Sequence, residues 1–329
     1  MPLAAPAYSV VAPLHNEAGN VEALHQAIAA ALQPLPGGFE ILLVDDGSSD
    51  DTGPIIDRLA RADRRVRPLH LARNCGQSAA LSAGFAYARG QIVLTLDGDL
   101  QNDPADFPIL LDALREPVRV VSGWRRNRRD GFWLRTLPSR AANWLIAAVT
   151  RLPSRDTGCC LKAYRAEVVR GARLPAGMHR FLPAVLGVRA GEFAEVEVSH
   201  HPRTWGASHY GLSRLLVVLR DLCVMPLIQR GPARRWPVIT AAGTVVAVLA
   251  SIGGAWLAGQ DGWVSAVGLA IWISAGAASL ALCCALWGLR RFLDAERHGV
   301  FELREISAPA LDAAAETLAR EPEYGRQTG

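Results

Sequence analysis

The sequence lacks several motifs that would assign it to a common class of nucleotide-binding or metal-binding protein. It contains no GxGxxG and no GxxxxGK[ST] segment, which argues against a dinucleotide-binding Rossmann enzyme and against a P-loop NTPase. It has six cysteines but no CxxC pair, and no cysteine–histidine spacing is typical of zinc. We therefore expect reduced thiols and a soluble part that faces the cytoplasm.

Lysine is nearly absent, since Lys162 is the only one among 35 basic residues. This bias has two explanations that stay open here: codon composition, or the suitability of arginine for bidentate phosphate contacts. The chain has 329 residues, of which 50% are hydrophobic and 20% are charged, and its net charge is +4. These values exclude a disordered or low-complexity protein and suit one large domain or two modest ones.

Long uncharged runs are confined to the C-terminal third. Residues 238–258 and 263–289 carry no charge and are joined by the short loop 259–262. Each run is long enough to span a bilayer as a helix, so 238–289 is predicted to be a transmembrane hairpin. Arginines lie before the first run and after the second, which places both ends in the cytoplasm. The alternative is a buried hairpin in a soluble protein.

The segments around this hairpin complete the predicted organisation. Residues 1–210 are expected to form a cytoplasmic domain, and no secretory signal peptide is expected at the N-terminus. Residues 211–237 form an interfacial amphipathic helix and linker, with a core helix of the soluble domain as the alternative. Residues 290–329 form a cytoplasmic tail. The predicted location is the inner, cytoplasmic membrane, with a multi-pass topology.

The first 125 residues alternate short apolar runs with helical patterns. Strands are predicted at 8–13, 39–44, 66–71, 91–96 and 118–122, and helices at 17–32, 51–62, 77–88 and 104–115. Asn16 is a candidate N-cap for the first helix. Continuous apolar strands that alternate with helices indicate an α/β fold with a parallel sheet covered on both faces. In such sheets, ligands bind beyond the carboxyl ends of the strands.

Polar residues follow four of the predicted strands and are expected to share one edge. After the fourth strand, Asp97 and Asp99 are spaced to share a hard divalent cation, Mg²⁺ or Mn²⁺, with substrate phosphates. An acidic surface turn is the alternative for this pair. After the second strand, Asp45 and Asp46 either cap the next helix or hydrogen-bond a nucleotide. Arg73 either forms a surface ion pair or contacts a diphosphate near a helix start.

Four segments carry a resemblance to a known family. PLHNE, VDDGSSDDT, LARNCGQSAALSAGFAYARG and LDGDLQNDP resemble the family 2 inverting glycosyltransferases, whose fold is glycosyltransferase type A. Further segments, SGWRRNRRDGFWLRTLPSR, RDTGCCLKAYR and HPRTWGASHYG, followed by a membrane hairpin, resemble the polyprenyl-phosphate glycosyltransferases within it. The resemblance covers residues 7–230 and implies a Rossmann-like, mostly parallel sheet.

The resemblance implies a donor, an acceptor and a set of site residues. The donor is a nucleotide-diphosphate sugar, and the acceptor is a polyprenyl phosphate, with undecaprenyl favoured by the hairpin. His15 departs from the family pattern, since that position is usually aromatic. The base and ribose are assigned to Pro13, Glu17 and Asp46; the metal and diphosphate to Asp97 and Asp99, with Gln101 nearby; and the phosphates to Arg125, Arg135, Ser139 and Arg203. The predicted substrate-binding set also includes His15, Asp45, Arg73, Gly76 and Ser208.

The expected chemistry follows from the charges of these substrates. A polyprenyl phosphate is already ionised at neutral pH, so a strong general base is not required. Asp156 is assigned a base or orienting role, with capping of a turn as its alternative. The arginine-rich and tryptophan-rich stretch 124–144 is interpreted as a membrane-surface segment rather than a nucleic-acid site. A solvated charged face is its other alternative, and a homo-oligomer is left open.

Two other functions are compatible with the same resemblance. The first is a membrane-tethered protein that binds nucleotide sugars without turnover. The second is a processive polysaccharide synthase with the same fold. The second needs several more membrane spans and a QxxRW-type acceptor motif, which the sequence lacks.

Overall fold

The computed structural model describes residues 5–125, 150 and 152–202, three isolated positions at 274, 282 and 285, and the backbone of Leu303–Ile306. The chain divides into two compact units, Met1–His209 with His298–Gly329, and Tyr210–Arg297. The first unit contains an eight-stranded sheet. Its strands are β1 (Tyr8–Leu14), β2 (Phe39–Asp45), β3 (Val66–Leu71), β4 (Ile92–Thr95), β5 (Val120–Trp124), β6 (Lys162–Arg165), β7 (Phe193–Glu197) and β8 (Leu303–Ile306).

The sheet has the order β7-β5-β6-β4-β1-β2-β3-β8. Strands β1, β2, β3 and β4 pair in parallel, and β5 pairs in parallel with β7. The strand β6 lies antiparallel between β4 and β5, so these two point the same way. The strand β8 is antiparallel to β3 at the far edge. Six of the eight strands therefore end at the same edge, which confirms a mostly parallel α/β sheet.

Helices cover both faces of this sheet. The longer ones are α1 (Val21–Leu32), α2 (Thr52–Ala62), α3 (Gln77–Tyr87) and α4 (Phe107–Ala113), which follows a 3₁₀ turn at Pro104–Asp106. Because successive strand residues point to opposite faces, Val10 and Ala12 of β1 pack in a core with α1 and α4. Val11 faces α3, where a Cβ added at Gly84 would lie 2.1 Å from the Val11 side chain. Two one-turn helices, Ala166–Val169 and Leu182–Val185, follow β6.

The predicted start of the first helix was wrong. Asn16 does not cap it, because Asn16 adopts a left-handed φ of 55° and its side-chain oxygen accepts a hydrogen bond from the Ser49 amide at 2.8 Å. The helix begins at Val21, after Asn20, whose side chain donates to Glu17. Residues 15–20 are thus a loop at the carboxyl end of β1, which keeps Glu17 near the other strand ends.

A buried ion network fixes the opposite end of the central strands. The Glu40 carboxylate accepts hydrogen bonds from Ser9 at 2.6 Å, from Arg67 at 2.8 Å and from Arg89 at 2.9 Å. Burial alone would raise the pKa of Glu40, but the Arg67 charge and these hydrogen bonds outweigh it, so the pKa is lowered. Since a buried charge without its partner is strongly destabilising, the network holds β1, β2 and β3 in register.

The predicted membrane segments lie outside the residues that the structure describes, apart from the three isolated positions. Within the described ranges, no helix combines the length and the apolar character that crossing a membrane requires. The predicted interfacial helix at 211–237 also lies outside these ranges. The described part of the tail is the backbone of β8.

Candidate active site

The loops after β1, β2 and β3 meet at the carboxyl edge of the sheet. The His15 imidazole lies between them: its Nδ1 is 3.0 Å from the carbonyl oxygen of Asp46, and its Nε2 is 2.9 Å from the Asn74 side-chain nitrogen. Because a carbonyl only accepts, Nδ1 carries the proton, and Nε2 accepts from Asn74. His15 thus ties three loops together.

Asp46 organises the start of α3. Its two carboxylate oxygens accept the backbone amides of Cys75 at 2.7 Å and Gly76 at 2.9 Å. Burial raises the pKa of Asp46, and these amides offset the shift only in part. Neither Asp46 nor Asp45 caps α2, the alternative that the sequence left open, because their oxygens bind elsewhere. Asp46 is consequently a buried acidic group held rigidly at the loop edge.

Gly47 brings the Arg73 loop against this edge. It adopts a left-handed φ of 63°, and a Cβ at this position would lie 2.4 Å from the Arg73 carbonyl carbon. The Arg73 side chain is exposed, and among the described residues it has no ion pair. It is therefore accessible to an anionic ligand at the loop edge.

The Asp97–Asp99 pair follows β4 at the centre of the same edge. Asp97 Oδ1 accepts a hydrogen bond from Gln77 Nε2 at 2.6 Å, and Asp99 Oδ1 accepts the Gln101 amide at 3.1 Å. Burial and the Asp99 charge raise the pKa of Asp97, against the opposing effects of Lys162 and Arg125. Two close carboxylates in a desolvated site repel one another, and a divalent cation relieves that repulsion.

An arginine–aspartate ion pair lies just beyond the carboxyl end of β5. Arg125 donates to Asp156 through Nε at 2.7 Å and through Nη2 at 3.1 Å, which is a bidentate arrangement. Both side chains are nearly buried, with 13% of Arg125 and 5% of Asp156 exposed. Burial alone would lower the pKa of Arg125, but the hydrogen bonds and charge of Asp156 outweigh it and raise that pKa. Asp156 therefore does not act as a simple turn cap, since its carboxylate holds a guanidinium.

Comparison with known proteins identifies the family. Residues 9–170 match the family described as "Glycosyl transferase family 2". The dodecaprenyl-phosphate galacturonate synthase of Rhizobium johnstonii is 43% identical over 230 residues, which cover 69% of this chain and 68% of that protein. The chain belongs to glycosyl transferase family 2. It is therefore a glycosyltransferase.

One more relative and one solved structure are also similar to this glycosyltransferase. The undecaprenyl-phosphate 4-deoxy-4-formamido-L-arabinose transferase of Sodalis glossinidius is 36% identical over 242 residues, covering 73% of this chain and 72% of that protein. Glucosyl-3-phosphoglycerate synthase from Mycobacterium tuberculosis, solved with Mg²⁺ and uridine-diphosphate, superimposes with a TM-score of 0.51. That match covers 70% of this chain and 81% of the other at 21% identity, and it shows the shared fold.

The glycosyltransferase fold brings most of the sequence-predicted residues to one edge. They are Pro13, His15, Glu17, Asp45, Asp46, Arg73, Gly76, Asp97, Asp99 and Gln101. Arg125 and Asp156 form a pair at the carboxyl end of β5. The four remaining predicted residues, Arg135, Ser139, Arg203 and Ser208, lie outside the described residues, so their roles stay predictions.

Three residues of the site were missed from the sequence. Gln77 holds Asp97, and Asn74 holds His15. Both lie in the polar segment after β3. Their position after a strand end could have identified them as candidate site residues. His70 contacts Asp45 from within β3. His70 is the penultimate residue of β3, and no pattern in the sequence distinguishes it from a histidine packed in the core.

Proposed function

We propose that this glycosyltransferase transfers a sugar, with inversion, from a nucleotide-diphosphate sugar to a polyprenyl phosphate, undecaprenyl phosphate in the first instance. The observation that carries the proposal is the common edge of the sheet, where Asp46 follows β2, the Asp97–Asp99 pair follows β4, and Arg125 follows β5 with Asp156 bound to it. The two named relatives support the acceptor class, since both names contain a polyprenyl phosphate and they differ in the sugar. The product would supply a lipid-linked sugar for modification of the cell envelope.

Asp97 and Asp99 are proposed to hold Mg²⁺ or Mn²⁺. Their oxygen donors suit a hard cation. No set of three His, Cys, Asp or Glu side chains is grouped as metal ligands within the described ranges. A cation bound mainly by two carboxylates takes its remaining ligands from substrate phosphates and water, as is common for Mg²⁺. A cation held by Asp97 and Asp99 would supply positive charge to stabilise the departing nucleoside diphosphate.

The protein's own residues perform the remaining steps. Asp46 and the loop held by His15 bind the nucleoside, and Arg73 contacts the diphosphate. Arg125, fixed by Asp156, orients a phosphate for in-line attack on the anomeric carbon. The acceptor oxygen is already ionised at neutral pH, so Asp156 need only orient Arg125 and the acceptor. Arg135, Ser139, Arg203 and Ser208 are proposed to complete the phosphate contacts.

Membrane attachment is proposed for residues 238–258 and 263–289, with the catalytic domain on the cytoplasmic side. Reporter fusions at 259–262 are expected to lie outside the cytoplasm, and fusions after Arg297 inside it. The reason is the arginine asymmetry around the two apolar runs. A fusion after Arg297 that reports from outside the cytoplasm would contradict this topology.

The substrate proposal is tested with the purified full-length protein. Incubation with undecaprenyl phosphate, Mg²⁺ and a panel of uridine- and guanosine-diphosphate sugars is expected to yield one lipid-linked sugar. Mass spectrometry of the extracted lipid identifies that sugar, and the same reaction in EDTA is expected to give none. Binding of a nucleotide sugar without turnover would instead identify a binding protein. A polymeric product would identify a polysaccharide synthase.

A further inference from the structure

The side chain of His70 lies between two carboxylates beneath the proposed nucleoside site. Its Nδ1 is 3.1 Å from Asp45 Oδ2, and its Nε2 is 3.1 Å from Asp57 Oδ1 on α2. The ring is largely buried, with 15% of the side chain exposed. An ionised carboxylate only accepts hydrogen bonds, so both ring nitrogens serve as donors. His70 is therefore held as an imidazolium that donates in two directions.

The Asp45 end of this arrangement continues to the loop edge. Asp45 Oδ1 accepts the Ser48 amide at 2.9 Å, and the Ser48 hydroxyl accepts the Asn16 amide at 3.0 Å. A chain of hydrogen bonds thus runs from His70 through Asp45 and Ser48 to the loop after β1. That loop also contains His15, which holds the Asp46 carbonyl.

The packing leaves Asp45 little freedom. Its side chain is 10% exposed, and it lies directly against the first turn of α2. A Cβ added at Gly53 would be 3.1 Å from Asp45 Oδ2 and 3.7 Å from the His70 ring. Burial alone would raise the pKa of Asp45, but hydrogen bonds from His70 and Ser48 outweigh it and lower the pKa. Asp45 is thus a buried anion whose two carboxylate oxygens are occupied by Ser48 and His70.

We propose that His70 is a positioning residue for the donor nucleotide, and that it acts through Asp45 and Ser48 on the loops that bind the nucleoside. The proposal rests on the proposed function above. It also changes the role of Asp45, from a direct substrate contact to the link between His70 and the loop. The hydrogen bonds of both carboxylates raise the pKa of His70, although its burial acts in the opposite sense.

Two substitutions at His70 test separately its hydrogen bond to Asp45 and its hydrogen bond to Asp57. The amide nitrogen of Asn occupies the place of Nδ1, and that of Gln reaches the place of Nε2. His70→Asn therefore keeps the donor to Asp45, whereas His70→Gln keeps only the donor to Asp57. In titrations of the full-length protein with UDP or GDP and Mg²⁺, we expect His70→Gln to weaken binding by about tenfold, the order expected for a lost hydrogen bond to a charged group. His70→Asn should remain within about threefold of the wild type by the same reasoning.

Asp57→Asn is the matched control, because it alters the outer contact and leaves the Asp45 contact in place. Its nucleotide affinity is expected to match that of the wild type.

The outcomes distinguish this inference from the proposed function. Weakened binding in His70→Gln with near-normal binding in His70→Asn supports the positioning role. Equal affinities in the two variants would overturn it while the wild type still binds nucleotide. A wild-type protein that binds neither UDP nor GDP would refute the proposed donor class, and the inference with it.

Discussion

Replacing Asp99 with Asn is expected to lower the turnover of sugar transfer by about a hundredfold or more, the usual size of a lost charge-stabilising group. Asp97→Asn should cause a loss of the same order. The physical reason is that the amide keeps the shape of the side chain but removes the negative charge that holds a hard cation. Turnover is measured as release of nucleoside diphosphate at saturating Mg²⁺ with undecaprenyl phosphate as acceptor.

Two controls distinguish loss of metal binding from loss of structure. In EDTA, Asp97→Asn should melt at or above the temperature of the wild type, because it removes repulsion between two close carboxylates. Asp103→Asn is the matched substitution on the same edge, where the side chain caps a 3₁₀ turn through the Ala105 amide. An amide caps equally well, so its activity should stay within about twofold. Near-normal turnover in both Asp97→Asn and Asp99→Asn would refute the metal assignment.

The location of the site was predictable because it follows from topology. Apolar strands such as 39–44 can be recognised from the sequence, and parallel strands must end at one edge. Asp46 and Asp97 therefore came together as expected, joined through the loop that follows β3. The sequence of a strand does not predict where the side chains at its end point. Asp45 and Asp46 are neighbours in sequence, yet Asp45 turns inward to His70 while Asp46 binds the amides before α3.

The sequence did not predict that a strand distant in the chain would be inserted into the sheet. The strand β6 enters the sheet between β4 and β5, although it comes about forty residues after β5 in the chain. Its pairing depends on the open edge of β4, which is a tertiary property. This insertion carries the preceding turn with Asp156 to the carboxyl end of β5, where Arg125 is the partner. The pairing explains why two residues from separate motifs lie at one place.

Breaking the Arg125–Asp156 pair is expected to cause the second large loss. Asp156→Asn keeps the volume of the side chain but removes the charge that fixes the Arg125 fork, which donates at 2.7 and 3.1 Å. Arg125→Lys keeps a charge but not the planar fork. We expect each variant to lose about a hundredfold or more in turnover, since the proposed role of the pair combines orientation and charge at the reacting phosphate. Steady-state kinetics with varied donor and acceptor measure the loss.

The double variant tests whether the two residues act as a unit. Residues that share one function show non-additive losses, so Asp156→Asn combined with Arg125→Lys should be no worse than the poorer single variant. Glu195→Gln is the control. It alters the carboxylate that accepts the Ser154 hydroxyl and the backbone amides of Arg155 and Asp156, but it leaves the charges of the Arg125–Asp156 pair unchanged. It should retain most activity, because the single amide oxygen of Gln can still accept the donors that bind Glu195 Oε1. Additive losses in the double variant would show instead that Asp156 acts on the acceptor independently of Arg125, as a general base would.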